Sequence, residues 1–299
     1  CCAAPDGRDE NPPAPPRMRV FHVGAERFEE LGALPAQLPA QGFLWVGSAR
    51  REFEVGQADM QAALERWGQG TLVELHLSHL VNNQLPSHYD YTSWYDLMIF
   101  RRLATANAGT VTEAAASTAA QARRVLQSID TSPVGFAVFD RVLLTVHPTD
   151  CAVREHFASR YLGLATAAPE QRGTASRLPA SAADLMLRMV NHMVDGYLEL
   201  RRLLTRQLGT LQQELLDPKS RFADWSLLLD SRNALHVLED ICEDQRAAVQ
   251  EWIDAMDEWP AEDDAARRRE RELLRVRSRD VLEHVERVLQ HVRRGRTRA

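Results

Sequence analysis

Apolar residues recur at helical spacing along three long stretches in the last third of the chain. They run from Ala182 to about Leu216, from Phe222 to about Glu258, and from Asp263 to about Arg294. Ordinary globular helices are about 11–12 residues long, so these are several times the usual length. Asp217-Pro218 interrupts the first pair and Trp259-Pro260 the second. Proline lacks the N–H donor and clashes with the preceding turn, so both sites end a helix. The pattern therefore predicts three antiparallel helices, the last of them a stalk. On that stalk Leu274, Val281 and Val288 repeat every seven residues, as do Ser278, Val285 and Val292, while Leu282 and Leu289 widen the stripe. Such a stripe suits the core of a three-helix bundle within one chain, contacts with neighbouring stalks around an axis, or both.

The earlier part of the chain has a different rhythm. Met18–Val23 and Gly42–Gly47 read as strands, the second of a fully buried type. Gln57–Trp67 fits a helix stopped by Gly68 and Gly70. Val73–Leu80 is a short helix or turn with two histidines, and Tyr91–Arg101 a strand. Val134–Phe139 and Val142–His147 form a hairpin around Asp140-Arg141. Thr149–Leu162 reads as a helix capped by Thr149 or Asp150. Gly109–Asp130 fits a loop or a poor helix, and Ala165–Leu178 a linker. The Pro-rich residues 1–17 read as a disordered tail. The expected fold is α+β: an α/β domain over 18–178 with a mixed, partly antiparallel sheet, then a long-helix domain over 179–299.

Composition narrows the function. Hydrophobic residues make up 44% and charged residues 26% of the 299, as in an ordinary globular protein. The net charge of −6 argues against nucleic acid as a partner. No run of about 18 apolar residues, the length needed to span a membrane, occurs, and no signal peptide is evident. The chain starts at Cys1 without a Met and is read as a fragment or a processed form. The 4 cysteines form no metal-binding spacing, and Cys151 and Cys242 are expected to be reduced, core-facing thiols. Without a P-loop, G-x-G-x-x-G, H-E-x-x-H or G-x-S-x-G, nothing asks for an enzyme.

Several local motifs carry a resemblance. Leu215-Leu-Asp-Pro-Lys219, Trp225 and Leu227–Arg232 form one group, continued by Glu239–Gln245. Arg279-Asp-Val-Leu-Glu-His284 is an R-D-V-x-[DE]-H stretch on the stalk, and Gln84-Leu-Pro86 precedes Tyr89–Phe100 as a Q-x-P turn before a strand. Together they resemble the cytoplasmic part of the CorA-type divalent-metal transporters, in the CorA/ZntB superfamily, over about residues 18–299. The resemblance implies a homopentameric funnel on the cytoplasmic side of the inner membrane, with stalks that continue into membrane helices beyond residue 299. The function it implies is intracellular sensing of Mg²⁺, with Co²⁺, Ni²⁺ or Zn²⁺ as other ions, and gating of the pore. A zinc transporter of the same superfamily and a soluble helical scaffold protein are the alternatives.

The resemblance also implies a metal site. Asp280, His284, Arg287 and His291 follow one another on a single face of the stalk. In the family the Asp of the R-D-V stretch helps hold a regulatory Mg²⁺ between subunits, and that role carries over to Asp280. Mg²⁺ keeps most of its waters, so one or two carboxylates suffice. The family's partner acid falls near Ser78, where this chain has no carboxylate. His76 and His79 lie close by, and imidazole suits Zn²⁺, Co²⁺ or Ni²⁺ better than Mg²⁺. Three readings stay open: Asp280 with hydrated Mg²⁺, a softer ion on His76 or His79, with His284 one turn beyond Asp280, or no interface site. In the last, Asp280 simply pairs with Arg277 or Arg287.

Overall fold

A computed structural model describes residues 18–102, 104–105, 129–149, 152–166, 177–197, 200 and 225–298. The tail at 1–17, the cap at Asp150, Cys151, the Asp217-Pro218 break and most of Gly109–Asp130 and Ala165–Leu178 lie outside these residues. In chain order the strands are β1 (Arg19–Val23), β2 (Phe28–Leu31), β3 (Phe43–Ala49), β4 (His88–Tyr91), β5 (Tyr95–Arg101), β6 (Ala104–Thr105), β7 (Ile129–Asp130), β8 (Pro133–Phe139) and β9 (Val142–His147). Helices α1 (Arg50–Arg66) and α2 (Glu74–Val81) fall between β3 and β4. After β9 come α3 (Ala152–Thr166), α4 (Ala182–Asp195), α5 (Trp225–Glu258) and α6 (Ala265–Arg298).

Seven strands form one sheet in the order β2-β1-β3-β9-β8-β5-β4. Every neighbouring pair is antiparallel except β3 and β9, which run parallel from Leu44↔Val142 to Ala49↔His147. The sheet is therefore mixed and mostly antiparallel. Alternation along its strands builds two cores. Leu44, Val46, Leu97, Ile99 and Leu144 face α1 and α2, together with Phe53, Leu64 and Leu80. Trp45, Met98, Phe136 and Leu143 face the other way, toward α3 to α6. The sheet thus separates α2 from α6.

Three strand and helix readings are corrected here. Tyr91–Arg101 is not one strand but the second half of a hairpin, β4 and β5, paired from His88↔Ile99 to Tyr91↔Asp96. Thr92 makes the turn: its N–H reaches Tyr95 O at 2.9 Å, and its hydroxyl accepts from the Tyr95 and Trp94 N–H groups. The edge strand β2 was not anticipated, because only Phe28 of its four residues is buried and two are glutamates. Helix α1 starts at Arg50, directly after β3, because the Glu52 carboxylate accepts the Ala49 N–H at 2.8 Å. It ends where expected, at Gly68 and Gly70, whose φ values of 67° and 76° suit glycine.

Helices α5 and α6 follow the apolar pattern, and α4 covers the first 14 residues of the stretch from Ala182, most of whose continuation to Leu216, like the start at Phe222, lies outside the described residues. Helix α5 has 34 residues, a length of about 50 Å. Trp252 Nε1 donates to Ser278 Oγ at 2.9 Å, and Arg293 reaches back to Glu239 at 3.0 Å, so α5 and α6 are antiparallel. Asp184 pairs with Arg277 and Asn191 with His284, so α4 runs parallel to α6. The three elements go up, down and up. Leu274, Ser278, Val281, Val285, Val288, Leu289 and Val292 are all buried within the single chain. The heptad stripe is thus this chain's own core.

Candidate functional site

Asp280 and His284 stand on the rim of a cleft of about 400 Å³ between α3, α4 and α6, with Arg160, Arg188, Asp195 and Arg287 among its other lining residues. Asp280 is exposed and has no hydrogen bond or ion pair among the described residues. The two arginines on its helix face are occupied elsewhere. Arg277 pairs with Asp184, a buried carboxylate that also takes Arg188 at 3.1 Å. Arg287 pairs with Glu283 at 3.2 Å. His284 is half-buried; its Nδ1 lies 3.0 Å from Asn191 Oδ1 and 3.8 Å from Asp195 Oδ1. That nitrogen faces only oxygen acceptors, so it carries the proton. His192, which also lines the cleft, stacks at 4.2 Å on the ring of His156, an exposed residue outside it. Burial, and then the His156 charge, hold His192 below the ordinary histidine pKa.

His76 and His79 lie on the far side of the sheet, on α2. The loop from α1 to α2 is pinned at Leu72, whose N–H and C=O both bind the Gln61 amide, at 2.9 and 2.8 Å. Tyr95 Oη accepts the Val73 N–H at 3.0 Å and lies 2.8 Å from His76 Nδ1. His76 Nε2 in turn lies 3.0 Å from Asp90 Oδ2. The simplest proton assignment has Tyr95 donating to Nδ1 and Nε2–H donating to Asp90. Both nitrogens of His76 are then in use, and its side chain is 3% exposed. Burial works against the Asp90 charge, but the bonds from His76 and the Tyr91 N–H hold it below the usual carboxylate range. His79, one turn on, is half-buried and meets His88 Nε2 at 3.2 Å. Burial, then the charges of His88 and His76, lower its pKa. Ser78, at the position of the family's partner acid, is exposed and donates to Leu75 O at 2.6 Å.

Within one chain, then, Asp280 and His284 come together, His76 and His79 come together, and the sheet keeps the two pairs apart. Among the described residues no group of three or more His, Cys, Asp or Glu converges on one metal position. His88, Asp90 and His192 went unnoticed in the sequence. His88 follows His79 by nine residues across the Gln84-Leu-Pro86 turn, a separation that no helix or strand period links.

No helix among the described residues is long and apolar enough to cross a membrane. No curated protein matches the sequence. Solved structures do match in fold. The ZntB cytoplasmic domain from Vibrio parahaemolyticus RIMD 2210633 is 13% identical, with a TM-score of 0.53 over 94% of this chain and 96% of its own. The soluble domain of CorA from Methanocaldococcus jannaschii is 11% identical, with a TM-score of 0.55 over 92% of this chain and 94% of its own. The complete CorA magnesium transporter of that organism gives 12% identity and a TM-score of 0.55, with 75% of its length covered. Identities this low establish the fold alone, the α+β plan with long C-terminal helices. The sequence model described as CorA-like Mg2+ transporter protein matches residues 71–299, from the loop before α2 through α6, and so the chain belongs to the CorA-like family of transporter proteins.

Proposed function

We propose that this chain is the cytosolic, metal-sensing and gating part of a CorA-type divalent-cation transporter that works as a homopentamer. The observation that carries the reading is Asp280: an exposed carboxylate without a partner, flanked by two arginines that both bind other acids. A carboxylate left free in that setting suits a hydrated Mg²⁺, which needs few protein oxygens. One chain supplies only that carboxylate, so the site is shared with a second copy, whose α2 segment brings Ser78 and water rather than an acid. A cation there offsets the repulsion between acidic chains and favours the tighter assembly, so its loss shifts the population toward looser states. Zn²⁺, Co²⁺ and Ni²⁺ are the other ions the reading admits.

Calorimetry with Mg²⁺ on the wild type, Asp280→Ala and Ser78→Asp tests this. Asp280→Ala is expected to weaken binding by about tenfold or more, roughly 1.4 kcal/mol. Ser78→Asp, which restores a second carboxylate, is expected to strengthen it. Identical titrations for all three proteins would remove Asp280 from the mechanism.

A further inference from the structure

We infer that His79 and His88 form a two-imidazole seat for a borderline divalent cation, Zn²⁺, Co²⁺ or Ni²⁺, built within one chain and separate from Asp280. The two side chains arrive from different elements, His79 from α2 and His88 from the first residue of β4, and both are half-buried, within reach of solvent. His88 Nδ1 lies 3.0 Å from Pro86 O. A carbonyl only accepts, so Nδ1 carries the proton and Nε2 presents its lone pair. This is the carbonyl-held tautomer common to metal-ligating histidines.

That lone pair faces His79 Nδ1 at 3.2 Å, with the rings nearly perpendicular at 88°. Without a metal, His79 Nδ1–H fills the gap as a hydrogen-bond donor. The same gap matches the bite of a metal. Two nitrogens about 2.0–2.1 Å from a tetrahedral ion stand about 3.3–3.4 Å apart, and each lone pair then leans about 35° off the N···N line. The seat therefore needs a tilt of two half-exposed rings and no backbone movement. On binding, the His79 proton passes from Nδ1 to Nε2 through solvent, and no proton is lost overall.

The surroundings suit a cation. Asp90, ionised and close enough to act on both histidines, adds negative potential. His76 holds Asp90 in place and contributes no lone pair of its own. Since no third ligand converges among the described residues, water completes the coordination. An open site of this kind exchanges its ion, unlike a closed structural zinc site. Nitrogen donors at this spacing leave Mg²⁺ unbound, because it prefers oxygen ligands and retains its waters.

The test is Co²⁺ absorbance and Zn²⁺ calorimetry on the full chain carrying Cys1→Ser and Cys2→Ser, which removes the terminal thiols. One tight equivalent per chain is expected, undiminished when the protein is monomeric. His79→Asn and His88→Asn should each weaken it by at least about tenfold. Asp280→Ala should leave it unchanged, so failure here and failure of the Asp280 reading are separable. Nitrogen NMR of the unsubstituted imidazoles gives a check that does not depend on variant folding: His79 should switch from the Nδ1–H to the Nε2–H tautomer as Zn²⁺ is added. Wild-type affinity in both histidine variants, an unchanged tautomer, or equal competition by Mg²⁺ would overturn the inference.

Discussion

His147 ends β9 completely buried, with Nε2 2.8 Å from Thr145 Oγ1. The same hydroxyl accepts Trp45 Nε1–H at 2.9 Å, so one threonine links a strand end to the aromatic core. Burial, and then the charges of Arg154, Arg102 and Arg50, push the His147 pKa down to about 3. In the unfolded chain it returns to about 6.5. The unfolded state therefore takes up more protons below that value. Stability from a neutral His147 is complete above pH 6.5 and falls by up to about 1.4 kcal/mol per pH unit toward pH 3. Between pH 7.5 and 5 the wild type should lose about 2 kcal/mol more than His147→Gln in urea melts. Parallel pH profiles for the two proteins would contradict this. Contacts of this kind are not legible in the sequence. Trp45 and Thr145 are 100 residues apart, and neither carries a periodic signal that points to the other.

At the scale of elements, legibility follows the length of the repeat. The α6 stripe from Leu274 to Val292 states its own burial, because a heptad pattern sustained that long has few other meanings. The β4–β5 hairpin does not, because Tyr91 and Tyr95 both favour strands and the turn between them is made by the backbone and side chain of one residue, Thr92. The candidate site splits in the same way: Asp280 is found through its motif, whereas the His79–His88 contact depends on how that turn closes. The α5–α6 connection was marked by Pro260, but its fastening was not. Arg271 caps the end of α5, donating to Met256 O at 2.7 Å, Trp259 O at 2.8 Å and Pro260 O at 2.6 Å. Its guanidinium also lies over the Trp259 ring, 5.7 Å from the centroid. Arg271→Ala should cost about 1–3 kcal/mol and speed amide exchange in the last turns of α5. Arg271→Lys should recover little, since one ammonium cannot serve the three carbonyls as a planar fork does. Full recovery by lysine would show that charge alone fastens the turn.

For the whole molecule, the outer face of α6 matters as much as the inner one. The inner stripe is spent on α4 and α5, yet Leu273 and Val276 remain 52% and 49% exposed. They share a helix face with Asp280, which lies seven residues after Leu273 and four after Val276. In the assembly proposed above this face meets a neighbouring chain. Sedimentation in excess Mg²⁺ should show association toward a pentamer that Leu273→Glu and Val276→Glu each weaken without lowering the melting temperature of the monomer. A two-fold dimer indifferent to both substitutions would rule that face out.

In its second half α5 is fastened to the sheet, with Gln245 Nε2 donating to Arg101 O and the Trp252 ring edge-on to Tyr89. Trp225, where the described part of α5 begins, is 20 residues from Gln245, about 30 Å along a rigid rod. Together with α6, to which Glu239 and Trp252 tie it, the helix forms a lever arm with its fulcrum at the sheet. A rotation of about 5° there displaces the far end by about 2.6 Å, with no hydrogen bond of the helix broken. Angular changes too small to disturb the packing of the sheet become ångström-scale strokes at the distal tip.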